Sequence, residues 1–197
     1  FVTSVATVAG IYAILAIGLN VHWGEAGLLN FGHVAFFAVG AYTSALLTIA
    51  SPSASQAYSF GFGMPIPVGI VGGCIAAGII AFLMGIPTLK LREDYLAVVS
   101  IGLAEILRYG LMNENWLTGG VGGIYGIERP LAEAIPFAFY NLFYLGLVLL
   151  ALVGCYLYTK KLRRSPFGRV LRSIRDDEEA AVALGKETFR YRMQAFI

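Results

Sequence analysis

The feature of this sequence that most constrains its fold is a long stretch without charge. No Asp, Glu, Lys or Arg lies between Ala26 and Leu89, and Glu25 is the one such residue before Ala26. Charged residues make up 13% of the 197-residue chain, about half the share in an average soluble domain. A soluble fold could not solvate such a surface, whereas lipid accepts it. The sequence therefore predicts an all-α protein, a polytopic bundle of transmembrane helices.

Five apolar runs approach or exceed the roughly 20 residues that a helix needs to cross the hydrocarbon core. Polar or glycine-rich stretches separate them, and residues 51–56 have the composition of a turn-rich loop. We expect residues 1–197 to form a single transmembrane domain that is a fragment of a longer chain. The predicted spans are 1–19, 28–50, 65–86, 95–116 and 137–159.

Positive charge is concentrated after the last apolar run. Ten of the 14 Lys and Arg residues lie between Lys160 and Arg192. If residues 160–192 are cytoplasmic, counting back through five spans puts twelve of the 14 on the cytoplasmic side, as the positive-inside rule requires. The same count places residues 20–26 inside and residues 117–136 outside. A basic block can bind nucleic acid, but after a membrane span we interpret residues 160–192 as a cytoplasmic segment.

Glycine and polar residues interrupt the apolar run between Gly24 and Gly40. The pattern indicates a broken helix, which a membrane tolerates only where the irregular backbone lines a cavity or packs on protein. Exposed amides there could meet a substrate carboxylate. Alternatively, the polar side chains only bond neighbouring helices and the glycines allow close packing. Candidates for the translocation pathway in this stretch are Asn30, Gly32 and His33.

Two further groups are candidates for the translocation pathway. Glu105 lies ten residues into its run, about 15 Å deep by helical rise, and an ionisable group at that depth is a functional candidate. Arg108 lies on the same face, so the two could instead form a purely structural pair. The glycine-rich stretch after Leu117 lacks a phosphate-binding pattern and is either a flexible extracytoplasmic loop or a contact for an external partner. Its candidate residues are Thr118, Gly119 and Gly120.

The cytoplasmic segment contains a predicted amphipathic helix. Ser165-Pro166 has the pattern of an N-cap and first helical residue, and Gly185 that of a helix stop. Four consecutive acids, 176–179, oppose binding to an anionic membrane surface, so docking into a groove on another protein is the better interpretation. Its predicted apolar stripe consists of Phe167, Val170, Leu171, Ile174, Ala181 and Leu184, beside a basic face of Arg169, Arg172 and Arg175.

Residues 179–185, EAAVALG, match the EAA-x-x-x-G signature of membrane permeases in ABC importers. The blocks GLNVHWG (18–24), GLLNFGHVAFFAVGAY (27–42), LTGG (117–120) and PFGR (166–169) resemble the branched-chain amino acid permease family, in its M-type subunit. The resemblance covers nearly the whole chain.

This resemblance implies a non-catalytic pore subunit in a prokaryotic cell membrane, with no cofactor and no metal. The implied partners are a second, H-type permease, two cytoplasmic ATP-binding subunits, an extracytoplasmic binding protein and a branched-chain amino acid, with no nucleic acid. In this family the EAA loop forms a coupling helix that contacts the ATPase. The residues that would carry this coupling here are Arg175, Glu178, Glu179, Ala180, Ala181 and Gly185.

Three alternatives stay open on the sequence. The first is a urea or short-chain amide permease of the same family. The second is a secondary transporter driven by protons carried on Glu105. The third is an intramembrane enzyme that uses His22, Glu25 and His33, which would have to converge within hydrogen-bond reach.

Overall fold

A computed structural model describes residues 2–49, 60–91, 93–127, 130 and 136–197, and in these ranges the regular structure is helical. The polar loop predicted at 51–56 lies outside the described residues. The elements are α1 (Val2–Asn20), a π-helical turn (Val21–Glu25), α2 (His33–Thr48), α3 (Ile66–Thr88), α4 (Glu93–Asn113), α5 (Asn115–Thr118), a 3₁₀ turn (Gly120–Gly122), α6 (Phe137–Arg164), α7 (Pro166–Asp176), α8 (Glu178–Ala183) and α9 (Thr188–Phe196).

Four helices in the described ranges are long and apolar enough to cross a membrane: Val2–Glu25, Ile66–Thr88, Tyr95–Asn113 and Phe139–Arg164. Four of the five predicted runs therefore form helices of spanning length. The other run, predicted at 28–50, forms the shorter apolar helix α2, because its first residues are not helical. A helical membrane bundle is confirmed.

The chain divides into two compact units, and the first contains α1, the π-helical turn and α6 to α9. Here α1 packs along α6. A Cβ added to Gly10 would lie 2.7 Å from Cγ1 of Val148, and Asn20 lines a cavity with Lys160, so the two helices run in the same direction. This parallel arrangement agrees with the predicted topology, in which both helices end on the cytoplasmic side.

The second unit contains α2, α3, most of α4 and α5. Helices α2 and α3 form an antiparallel hairpin in which Gly40 and Gly73 bring the two backbones close together. A Cβ on Gly73 would lie 2.6 Å from the carbonyl oxygen of Gly40. Gly69 and Gly73 have the GxxxG spacing that lets helix backbones approach closely, and both face α2.

The break predicted after Gly24 is present, although it begins later than the polar residues suggest. Residues 21–25 continue α1 as a π-helical turn, and residues 26–32 are not helical. Ala26, Leu28 and Asn30 are buried, and Gly27 has a φ of +71°. The irregular backbone is thus packed within protein, which is the condition under which a membrane protein tolerates it.

Candidate coupling site and translocation residues

Helix α7 begins as the sequence predicts. The backbone N–H of Gly168 donates to Oγ of Ser165 at 3.2 Å, and Pro166 occupies the first helical position. These are the features of a serine N-cap followed by proline, which lacks an N–H that would be unsatisfied there. The predicted N-terminus of the cytoplasmic helix is therefore confirmed.

The predicted single helix over 166–185 is wrong, because the chain leaves the helix at Asp177. This residue is extended, with φ −158° and ψ 103°, and its carboxylate accepts the backbone N–H of Ala180 at 2.9 Å. Aspartate favours such a cap over a helix interior because its side chain competes for backbone N–H groups. The result is two helices, α7 and α8, joined at a capped corner.

Helix α8 is stopped by Gly185, the residue after its C-cap, as the sequence predicts. Gly185 has a φ of +75°, a left-handed conformation that glycine adopts without a steric cost. Its N–H donates to the carbonyl of Val182 at 2.8 Å, and that of Lys186 donates to the carbonyl of Ala181 at 3.1 Å. This pair of bonds is a Schellman motif, which satisfies the last carbonyls of α8.

Most residues of the predicted apolar stripe pack against other parts of this chain. Leu171, Ile174 and Ala181 are almost fully buried, and α7 packs against α9 and the π-helical turn. The expectation that this stripe docks onto another protein is therefore wrong for α7. Leu184 departs from the stripe with 77% of its surface exposed, and Val182 is exposed beside it. The apolar surface open to a partner lies on α8 and its C-terminal end.

The predicted coupling residues divide into exposed and anchored positions. Glu179, Ala180 and Gly185 are exposed, whereas Ala181 is buried. Glu178 binds the guanidinium of Arg192 at 2.8 Å, and the Arg192 side chain is largely buried. Thus Glu178 and Ala181 attach α8 to the rest of its unit, while the other side of α8 faces outward.

An ion-pair cluster connects this segment to the end of α1. Glu25 is 4% exposed; its Oε1 lies 2.6 Å from Nε of Arg163 and its Oε2 lies 3.4 Å from Nη1 of Arg172. We refer to Glu25, Arg163 and Arg172 as the Glu25 clasp. Sequence reasoning missed it, although a single carboxylate at the end of a long uncharged segment was a signal that it needs a cationic partner.

Arg175, predicted as a coupling residue, also contacts this region. Its guanidinium donates to the carbonyl of Gly24 and to Oδ1 of Asp176, the latter at 2.7 Å. A Cβ on Gly27 would lie 2.6 Å from Cγ of Arg175, so only glycine leaves room for this side chain. The residues after α1 are therefore held by α7 through both charge and close packing.

A second buried contact in the same unit joins His22, Asn30 and Phe196. The ring of Phe196 stacks on His22 with centroids 5.3 Å apart, and Nδ2 of Asn30 lies 3.2 Å from Nδ1 of His22. Within the described ranges no three His, Cys, Asp or Glu side chains are grouped to hold a metal ion. His22 and Glu25 each have contacts of another kind, so the geometry gives the enzyme alternative no support.

The other pathway candidates lie in the second unit. Gly32 occupies the N-cap position of α2 and His33 is the first helical residue, with its ring 6.3 Å from that of Phe36 in an edge-on arrangement. The predicted role of the α2 amides in meeting an anion stays a prediction.

Glu105 and Arg108 form the bidentate pair that their spacing predicts. Nε of Arg108 lies 2.9 Å from Oε2 of Glu105, and Nη2 lies 2.5 Å from Oε1. Both are about half exposed in this chain. They line a cavity of about 300 Å³ between α2 and α4, with Tyr42 and several aliphatic side chains. An apolar cavity with a few convergent polar groups is typical of a small-molecule site.

Thr118, Gly119 and Gly120 form a hydrogen-bonded turn at the end of α5. The buried hydroxyl of Thr118 lies 2.9 Å from the carbonyl oxygen of Glu114 and accepts the N–H of Gly120 at 3.2 Å. Gly119 and Gly120 have positive φ angles of 73° and 60°. The glycines therefore have a conformational role here, and contact with an external partner stays a prediction.

Comparison with known proteins settles the family. The model of the branched-chain amino acid transport system / permease component family matches residues 1–197. The chain belongs to this family. Its relatives include the high-affinity branched-chain amino acid transport system permease proteins LivM of Escherichia coli K12, 38% identical, and of Salmonella typhimurium LT2, 39% identical, each over 98% of this chain and 48% of the relative.

A third relative is less similar in sequence. The probable branched-chain amino acid transport permease protein LivM of Methanocaldococcus jannaschii is 28% identical over 94% of this chain and 59% of its own length. The chain spans about half the length of the curated relatives it matches. No solved structure matches it significantly. Family membership and the four long apolar helices in the described ranges place this chain in the cell membrane.

Proposed function

We propose that this chain is part of the pore subunit of an ATP-driven importer for branched-chain amino acids. Family membership over the whole chain supports the transport role. The sequence carries no nucleotide-binding motif, so energy would come from partners: two cytoplasmic ATP-binding subunits, a second, H-type permease and an extracytoplasmic binding protein. As a pore subunit, it would have no catalytic residue of its own.

The observation that carries the coupling proposal is the outward face of α8. Glu179, Val182 and Leu184 are exposed there, while Asp177 and Gly185 fix the two ends of the helix. A short helix with defined ends and an apolar, acidic outer face suits a cleft on a cytoplasmic ATPase. We place the ATPase contact on α8, and give α7 the role of connecting it to the membrane-spanning helices.

The route by which α8 would move the pore follows from its attachments. Glu178 joins α8 to α9 through Arg192, and α7 joins the ends of α1 and α6 through the Glu25 clasp. A displacement of α8 on ATPase closure would therefore act on both helices at their cytoplasmic ends. Packed elements with paired charges move as units. The displacement of α8 would therefore shift α1 and α6 as rigid helices, and this shift would open or close the pore.

The substrate proposal rests on the family and on the chemistry of the second unit. The cavity between α2 and α4 has aliphatic walls that suit a branched side chain, and its two ionic groups, Glu105 and Arg108, suit an ammonium and a carboxylate. The pathway would also include Asn30, Gly32 and His33, and the turn at 118–120. Proton transport on Glu105 gains no support from the bidentate pair, which keeps that carboxylate bound to a guanidinium.

The deciding experiment is copurification of the tagged full-length protein from native membranes, followed by an ATPase assay with leucine, isoleucine, valine and urea. Two ATPases, a second permease and stimulation by a branched-chain amino acid with its binding protein are expected. Stimulation by urea alone would identify urea, and not a branched-chain amino acid, as the substrate. A protein that purifies alone and still transports would refute the ATP-driven assembly.

A charge reversal tests the coupling face separately. Glu179→Lys is expected to abolish substrate-stimulated ATP hydrolysis while the protein still inserts. Glu187→Lys is the matched control, because Glu187 is also exposed but lies beyond α8, in a surface pair with Arg190. Equal ATP hydrolysis in the two variants would show that α8 does not contact the ATPase.

A further inference from the structure

The cytoplasmic end of α6 carries a cavity lined almost entirely by cations. It has a volume of about 430 Å³, and its walls are Tyr156, Lys160, Arg163, Arg164, Arg169 and Arg172. A second cavity, of about 530 Å³, lies beside it and shares Lys160 and Arg164 with the first. Convergent cations of this density repel one another unless an anion lies among them.

The charges in this cluster are only partly compensated by the protein. Glu25 binds Arg163 and Arg172. Lys160, Arg164 and Arg169 have no carboxylate partner within the described residues, and Arg169 donates one N–H to the carbonyl of Arg164 at 3.3 Å. Three positive charges are therefore left at one site, with guanidinium N–H groups still available to donate.

The position of the cluster along α6 indicates what kind of anion it meets. Helix α6 has 28 residues, about 42 Å at the rise of an α-helix, whereas the hydrocarbon core is about 30 Å thick. Residues 160–164 are the last residues of the candidate span Phe139–Arg164, so they lie where the helix leaves the core. Tyr156 and Leu157, one turn before these cations, are exposed, as side chains beside lipid are.

We propose that Lys160, Arg164 and Arg169 form a binding site for the phosphate of an anionic phospholipid. Two guanidinium groups can each bind phosphate oxygens through paired N–H donors, while Tyr156 and Leu157 contact the start of the acyl chains. Basic pockets at the cytoplasmic ends of membrane helices bind such headgroups. The lipid would neutralise the cluster next to the Glu25 clasp and fix the end of α6 at the membrane surface.

The test measures lipid binding by the full-length protein in detergent, with short-chain phosphatidylglycerol as the probe and short-chain phosphatidylcholine as the neutral control. The variant is Arg164→Gln/Arg169→Gln, which leaves the clasp residues in place. The matched control is Lys186→Gln/Arg190→Gln, which removes two exposed cations outside the cavity. A third variant, Arg164→Lys/Arg169→Lys, keeps the charge.

Phosphatidylglycerol affinity is expected to fall on the order of twentyfold in the glutamine variant, from about fivefold per cation near the surface. It should be unchanged in the control pair and largely retained in the lysine variant. Equal losses in the test and control pairs, or equal binding of phosphatidylcholine, would overturn the proposal.

Two further outcomes would reassign the site. Displacement of the probe by inorganic phosphate would identify a soluble ligand in place of a lipid. Loss of ATPase copurification with unchanged lipid affinity would make the cluster a protein interface. Neither ATP nor transport enters the binding assay, so its failure leaves the proposed import function standing. Conversely, an inactive transporter can still bind the lipid.

Discussion

The Glu25 clasp is asymmetric, and this asymmetry gives a prediction with a definite sign. Glu25 is 4% exposed, whereas the side chains of Arg163 and Arg172 are 55% and 34% exposed. Removing the carboxylate leaves two cations that water can still reach. Removing both arginines leaves a carboxylate that water cannot reach, which is the more costly state.

The size of each change in the free energy of unfolding follows from how deeply the remaining charge is buried. Loss of both arginines should lower the free energy of unfolding by about 3–5 kcal/mol, the range for a buried charge deprived of its partner. Glu25→Gln should lower it by only about 1–2 kcal/mol, because the two guanidinium groups are partly solvated. Making all three residues neutral should recover part of the loss seen in the double arginine variant, since no buried charge is then left.

The assay is unfolding of the full-length protein in mixed micelles by increasing SDS, with helicity followed by circular dichroism. The variants are Glu25→Gln, Arg163→Gln/Arg172→Gln and the triple substitution. The control is Glu187→Gln/Arg190→Gln, since that surface pair is 61% and 77% exposed and should change stability by less than about 1 kcal/mol. A double arginine variant no less stable than Glu25→Gln, or a triple variant no better than the double, would refute the reasoning.

Three further predictions concern close packing, the end of α8 and the intramembrane pair. Gly73→Ala should destabilise the α2–α3 hairpin by about 1–3 kcal/mol, because its Cβ would lie 2.6 Å from a backbone carbonyl; Gly102→Ala, which meets nothing within 4 Å, should not destabilise the protein in the same unfolding assay. Gly185→Ala should cost about 1 kcal/mol of stability from its left-handed φ, and Gly185→Asn less; equal melting temperatures would contradict this. Glu105→Gln should reduce uptake of labelled leucine more than Arg108→Lys, which keeps a cation in the pair; wild-type uptake in both would leave the pair structural.

Local rules explain why parts of the basic segment, residues 160–192, were predictable. The cap at Ser165 and the stop at Gly185 depend on bonds between residues no more than five positions apart. The corner at Asp177 obeys the same capping rule, yet the sequence predicted one continuous helix there. The apolar spacing runs on through the acids, and spacing alone does not show whether an aspartate lies inside a helix or caps the next one.

The sequence by itself determined that this is a helical membrane protein and which family it resembles, and it predicts that the basic segment is cytoplasmic. An uncharged stretch from Ala26 to Leu89 and a block of cations after the last span leave few alternatives. Only the tertiary structure decided which cations pair with Glu25, the one carboxylate before residue 90. Glu25 meets Arg172 across 147 residues of chain, and such a pairing depends on how α1 and α6 pack. Hydropathy and charge act residue by residue, whereas a buried ion pair exists only once the fold has brought both partners together.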